Sequence, residues 1–107
     1  MTADQLTALL VERLFGWKVC RDRFMTGGDR EWLKRAAFQP TNSLDAAFRL
    51  LKALKPVDYK LGGSASGPCR AQVKLSGTSG EASATSLPIA ICLAIAKVLG
   101  IEVETID

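Results

Sequence analysis

The residues best suited to chemistry are cations in the middle of the chain. Arg70, Gln72 and Lys74 recur at every second position, the spacing of side chains on one face of a β-strand. Lys60 stands in an earlier alternating stretch and is predicted to join this row across a hairpin. Such a row of cations binds phosphate oxygens or an acidic protein surface. Because a solvated strand face has the same pattern, both interpretations stay open at this point.

A second candidate anion site is the start of the last predicted helix. Thr85 and Ser86 precede an apolar run that opens with Pro88. Free N–H groups at a helix N-terminus bind anions, although plain capping explains the same residue types. The predicted ligand-binding residues are therefore Lys60, Arg70, Lys74, Thr85 and Ser86.

A glycine-rich loop, residues 62–67, has the composition of a phosphate-binding loop. Pro68 stands where such a loop requires lysine, and the segment joins two strands instead of a strand and a helix. We expect a flexible hairpin loop here. The alternative is an anion contact through backbone N–H groups.

The inventory for catalysis and metal binding is poor. The chain has no histidine, the commonest general base and metal ligand. Its three cysteines lack the spacing of a zinc site or a disulfide framework: Cys20, Cys69 and Cys92. Three acids between residues 22 and 31 have arginine neighbours that favour ionised carboxylates. The sequence therefore predicts no enzyme, no cofactor and no metal site, and Cys92 is expected to be a packed thiol.

Charge is unevenly distributed over the 107 residues, which are expected to form one domain, 1–107. Residues 18–74 hold twelve Lys and Arg against five acids, a net charge of +7, while the remainder carries −4. The overall charge of +3 does not favour duplex nucleic acid as a partner. No apolar run is long enough to predict a membrane span, and the first residues do not resemble a secretory signal. We therefore expect a cytoplasmic protein.

Three helices are predicted to position these residues. The first spans Ala3–Phe15 behind a capping box, and the second begins after Asn42 or Ser43 and stops at Pro56. The third, residues 88–99, is apolar on all sides, which is typical of a buried helix or of a helix at a subunit interface.

The strands are predicted mainly as antiparallel hairpins. Trp32 is expected to face the core, and residues 31–37 could alternatively form a helical turn. A turn at Gly77–Gly80 is expected before a short last strand. The predicted extended segments are 17–20, 21–25, 30–34, 57–61, 69–75 and 81–85. Together these elements favour the α/β (α+β) class, as a compact three-layer α-β-α sandwich with a small, mainly antiparallel sheet.

Three sequence blocks carry a resemblance to a known family. They are Phe15-Gly16-Trp17, then residues 40–48 (PTNSLDAAF), and residues 84–94 (ATSLPIAICLA). The chain resembles the phage ABA sandwich domain family, small proteins of bacteriophages and prophages, over residues 6–103. Residues 42–45 depart from the aromatic-Ser-Thr-Asp series usual in that family. The resemblance implies the α-β-α sandwich and a phage origin, and it implies no activity.

The charge pattern and this resemblance together give a functional hypothesis. We expect a non-enzymatic counter-defence protein that sequesters a phosphorylated small molecule, such as a nucleotide immune signal, in the host cytoplasm. One alternative is an anti-CRISPR-like inhibitor of a host defence complex. Another is a structural or accessory phage protein that uses its last helix to form homo-oligomers.

Overall fold

The computed structural model describes residues 2–27, 31–63, 68–101 and 103. Groups of three strands separate the three helices along these ranges, and a turn of 3-10 helix, Arg35–Ala37, follows the third strand. The elements are α1 (Ala3–Phe15), β1 (Lys18–Val19), β2 (Arg23–Gly27), β3 (Glu31–Lys34), α2 (Leu44–Leu54), β4 (Asp58–Gly62), β5 (Cys69–Leu75), β6 (Thr78–Ala84) and α3 (Leu87–Val98).

The strands form two antiparallel sheets of three strands each. The first sheet has the order β1-β2-β3 and the second the order β4-β5-β6. This arrangement confirms the predicted α/β sandwich class with antiparallel pairing, and it divides the strands between two sheets. The turn before β6 lies at Ser76–Gly77, where Gly77 adopts a φ of +92° that favours glycine. The turn predicted at Gly77–Gly80 is therefore wrong, because β6 already begins at Thr78.

Helix α3 is the centre of the core. Six of its residues are buried, and it packs against β5 and β6 on one hand and against α1 and α2 on the other. Gly80 of β6 lies so close to the helix that a Cβ there would stand 2.6 Å from the carbonyl oxygen of Ala94. The predicted burial of this apolar helix is confirmed.

The other two helices begin at the capping residues that the sequence indicates. Thr2 Oγ1 accepts a hydrogen bond from the backbone N–H of Gln5 at 3.1 Å, and Gln5 Oε1 accepts one from the Thr2 N–H at 2.9 Å. For α2 the cap is Ser43, whose Oγ accepts from Ala46 N at 3.4 Å. Asn42 instead donates its side-chain amide to Gln39. The predicted bounds of α1 are confirmed, and Ser43 is the cap of α2.

The first sheet packs through one face onto an aromatic cluster. Phe24 is fully buried and lies 5.9 Å, ring centre to ring centre, from Trp17, which stacks on Phe15. Phe24 pairs with Leu33, so the alternation of β3 turns Leu33 inward and Trp32 outward. Trp32 is 48% exposed. The prediction that Trp32 faces the core is wrong because its strand has the opposite phase.

Candidate functional site

The outer face of the second sheet brings together the predicted cations of β4 and β5. Lys60 pairs with Gln72 and Gly62 with Arg70, so these side-chain positions share one face. Alternation along β5 adds Lys74, which is exposed, as are Lys60 and Arg70. We call this surface the lysine face; its members are Asp58, Lys60, Gly62, Arg70, Gln72, Lys74, Ser79, Glu81 and Ser83. The opposite face of the sheet carries buried apolar residues and packs against α3.

A small hollow lies on the lysine face between β4 and β5. Lys60, Gln72 and Lys74 line it together with Asp58 and Tyr59, and its volume is about 90 Å³. Pockets for whole small molecules usually measure about 300–1,000 Å³. The hollow therefore fits a single phosphate-sized group, which would meet the side chains of two lysines, one glutamine and also the acidic Asp58.

Two acids temper the charge of the lysine face. Glu81 Oε1 lies 3.5 Å from Nε of Arg70, and both side chains are more than half exposed. The Asp58 carboxylate accepts a hydrogen bond from the Tyr59 backbone N–H at 2.8 Å. Within the described ranges, neither Lys60 nor Lys74 forms a salt bridge. These two lysines are therefore the cations best placed to receive an added anion.

The other two predicted site residues lie away from the hollow. Ser86 occupies the N-cap position of α3, but its side chain makes no capping hydrogen bond. Its Oγ is buried and has no hydrogen-bond partner in the described part of the chain. Thr85 is exposed and lines a different cavity, beside Ile89 and Leu93. The five predicted residues therefore do not converge on one site.

Two open grooves follow the side of α3 next to β6. One, of about 650 Å³, lies between Ser83, Leu93, Lys97 and Ile101; the other, of about 430 Å³, contains Thr85. Both grooves reach Leu93. The apolar sequence of α3 does not predict these grooves, although it leaves open that one face of the helix lies at a subunit interface.

Lys97 of α3 reaches the backbone of β6 at the larger of these two grooves. Its Nζ donates a hydrogen bond to the carbonyl oxygen of Glu81 at 2.6 Å. On β5, the Lys74 carbonyl accepts a hydrogen bond from Val57 N, on the side of β4. Successive residues of a strand direct their backbone groups to opposite sides, so the residues of β5 that alternate with Lys74 direct theirs toward β6. Gly80 and Ala82, the partners of those residues, point back toward β5, and the Glu81 carbonyl therefore points away from the sheet.

The outer face of the first sheet combines an exposed aromatic ring with cations. Lys18, Met25 and Trp32 form one row across the three strands, and Arg23 pairs with Lys34 in the row that shares their face. The Arg23 guanidinium carbon lies 4.7 Å from the centre of the Trp32 ring. We call these five residues the tryptophan face. The sequence does not predict this face, because its pattern favours Trp32 in the core.

Few ionisable groups in the described ranges have a pKa that departs from its ordinary value. A hydrogen bond from Arg23, at 3.2 Å, holds the pKa of the exposed Asp22 carboxyl below its usual value. Burial raises the pKa of the Cys92 thiol to about 12, which makes this thiol a poor nucleophile. Across the described residues, no group of three or more Cys, Asp or Glu side chains is close enough to hold a metal ion. None of the helices in those ranges has the length and apolar character needed to cross a membrane.

A solved structure matches nearly the whole chain. This fold occurs in a phage protein from Bacillus cereus. The crystal structure of that protein matches with a TM-score of 0.78 and 20% sequence identity, over 97% of this chain and 93% of that one. No model of a protein family matches the chain, and no curated protein sequence does. The likeness shows the fold, and membership of the phage ABA sandwich family stays a prediction.

Proposed function

We propose that this protein is a non-enzymatic binding protein that captures a phosphorylated small molecule on its lysine face. The observation that carries the proposal is the placement of Lys60, Gln72 and Lys74 around one hollow. Ammonium and amide groups donate to phosphate oxygens, and contacts to the charged oxygens are the stronger kind of hydrogen bond. Because two paired strands of a three-stranded sheet hold these side chains, little backbone ordering accompanies binding.

The geometry of the lysine face favours a ligand with more than one phosphate group. The hollow receives one phosphate, and Arg70 stands two residues from Gln72 along β5, roughly 7 Å away. Its exposed ion pair with Glu81 is worth only about 1 kcal/mol or less. Arg70 can therefore turn to a second phosphate, while the remainder of a nucleotide lies on the open sheet.

The role that we propose for this binding is counter-defence during phage infection. The protein would act in the host cytoplasm, where each copy removes one molecule of a nucleotide signal from solution. Support comes from the fold, which the Bacillus cereus phage protein also has, and from the cationic hollow. The ligand is released from this face chemically unchanged, because the proposed contacts bind phosphate and include no nucleophile.

A thermal-shift screen tests the proposal with inorganic phosphate, ADP and a panel of linear and cyclic dinucleotides. A ligand at about ten times its Kd adds about 1.4 kcal/mol of stability. For a domain of this length that corresponds to a rise in Tm of about 6 °C. Absence of any shift across the panel would contradict the proposal.

Paired variants locate the binding surface. Lys60→Gln with Lys74→Gln removes two charges from the hollow, and we expect it to weaken binding about 10- to 30-fold. Arg13→Gln with Lys52→Gln removes two charges from exposed positions on α1 and α2 and serves as the matched control. If the control weakens binding as much as the first pair, the attraction is a property of net charge and the hollow is not the site.

A further inference from the structure

We propose that the tryptophan face of the first sheet binds single-stranded nucleic acid, with Trp32 as a stacking surface for an unpaired base. This face is separate from the lysine face, since the two belong to different sheets. Three observations support this role: the exposure of the indole ring, the cations around it, and the strand register that brings them together.

The indole of Trp32 is exposed although apolar positions are available in the same sheet. Phe24 and Leu33 occupy the inner face, whereas Trp32 is 48% exposed. Aromatic side chains on a sheet surface stack with nucleic-acid bases, and every base offers a suitable face. The Arg23 guanidinium, 4.7 Å from the ring centre, orients the indole and adds a second planar surface on which a base can stack.

Cations stand on two sides of the ring. Lys18 lies in the same row, two strands from Trp32, or roughly 10 Å between backbones. Lys34 is two residues farther along β3, roughly 7 Å from Trp32, and faces Arg23 across the strand pair. Charges in two different directions from an aromatic ring, one across the strands and one along β3, match a polymer in which each base has a phosphate before and after it. A free mononucleotide has phosphate on one side only.

One acid next to this face, Asp22, is already engaged. Asp22 accepts hydrogen bonds from Nε and Nη2 of Arg23 at 3.2 and 3.4 Å. Lys18 and Lys34 are exposed and form no salt bridge within the described ranges. The face therefore keeps a positive potential that attracts phosphates.

Single strands fit this surface better than duplexes do. A base in a duplex is stacked between its neighbours, so its ring face is closed to an indole. Met25, between Lys18 and Trp32, offers an apolar floor and no strong donor or acceptor that could read the edge of a base. We therefore expect binding with little sequence preference.

Fluorescence anisotropy tests the proposal with a labelled oligothymidylate of about 12 nucleotides. Trp32→Ala should weaken binding at least about fivefold, because stacking on one aromatic residue supplies that much or more. Trp32→Phe keeps a ring and should restore part of the affinity. The logarithm of the binding constant should fall with the logarithm of salt concentration at a slope of about −2, and Lys18→Gln with Lys34→Gln should reduce that slope to about −0.7.

The controls separate stacking from net charge and from folding. Arg13→Gln with Lys52→Gln should bind nearly as the wild type does, and every variant should keep the wild-type unfolding midpoint within about 3 °C. Equal affinity of wild type and Trp32→Ala would overturn the proposal. Equal binding of a duplex of the same length would also overturn it. So would competition by thymidine monophosphate, added at the same total concentration of nucleotide units as the oligonucleotide. This test and the test of the lysine face alter different residues, so either can fail alone.

Discussion

The contact between Gly80 and α3 gives the sharpest prediction about stability. Strand β6 crosses the helix at Gly80, where a Cβ would stand 2.6 Å from the Ala94 carbonyl oxygen, 2.9 Å from Val98 Cγ2 and 3.0 Å from Lys97 Cβ. The first of these atoms belongs to the backbone of the helix and cannot rotate away. Gly80→Ala therefore forces the sheet and the helix apart.

The expected cost follows from opposing effects. Overpacking a core contact by one carbon costs about 1–3 kcal/mol, and a clash with a backbone atom belongs in the upper part of that range. Gly80 has no positive φ, so alanine also restricts the unfolded chain and returns about 0.4–1 kcal/mol. The net loss is about 2 kcal/mol. With an unfolding entropy of about 2.1 cal/mol/K per residue, Tm falls by about 9 °C.

Gly62→Ala is the matched control on the same sheet. Gly62 lies in β4 without a positive φ, and a Cβ there meets nothing within 4 Å. We expect that variant to equal the wild type or to gain about 0.4–1 kcal/mol. Urea unfolding followed by tryptophan fluorescence measures both variants. If Gly80→Ala is as stable as Gly62→Ala, then α3 does not rest on β6 at this point and the packing argument is refuted.

Two further predictions concern Arg35 and the cysteines. Arg35 donates hydrogen bonds to the backbone carbonyls of Cys20 at 3.2 Å and Asp4 at 3.1 Å. Arg35→Met should therefore lower the free energy of unfolding, measured by urea denaturation, by about 1–2 kcal/mol. An unchanged unfolding midpoint would show that these bonds add nothing to stability. A thiol reagent at pH 8 should modify Cys20 and Cys69 in the native protein but Cys92 only after denaturation, and native modification of all three would contradict the burial. Because folding raises the pKa of Cys92 from 9.0 to about 12, its contribution to stability is present below pH 9 and is lost as the pH rises from 9 to 12.

Local signals in the sequence predict most of the elements correctly. The capping box at Thr2 fixes the start of α1, and the alternation in β4 and β5 places Lys60 and Lys74 on one exposed face. These features depend on residues close together in the chain, or on a hairpin whose strands adjoin in sequence. That is why spacing alone suffices to predict them.

The phase of β3 could not be predicted from its own residues. Trp32 and Leu33 are adjacent and both apolar, so the four-residue strand offers two equally apolar faces. Pairing with β2 decides between them, because Phe24 turns Leu33 inward. The tryptophan face consequently becomes visible only when the register of the two strands is known.

Two glycines near β6 show the same limit. Gly77 serves a turn through its positive φ, whereas Gly80 serves the packing of a helix that lies later in the chain. The sequence predicts a single turn for both, because the presence of a glycine does not show whether it serves a backbone conformation or a close approach. The grooves beside α3 likewise depend on how the helix crosses β6, which no local spacing records.

The hydrogen bond from Lys97 to the Glu81 carbonyl also affects aggregation. Within the described residues, β6 is the outermost strand on its side of the second sheet, and such edges are templates for pairing with other chains. An incoming strand would have to displace the Lys97 ammonium from that carbonyl and leave a charge at the new junction. The Lys97 side chain, which lines the larger groove, thus protects the middle of this edge from intermolecular β-sheet growth, as lysines at sheet edges do in other proteins.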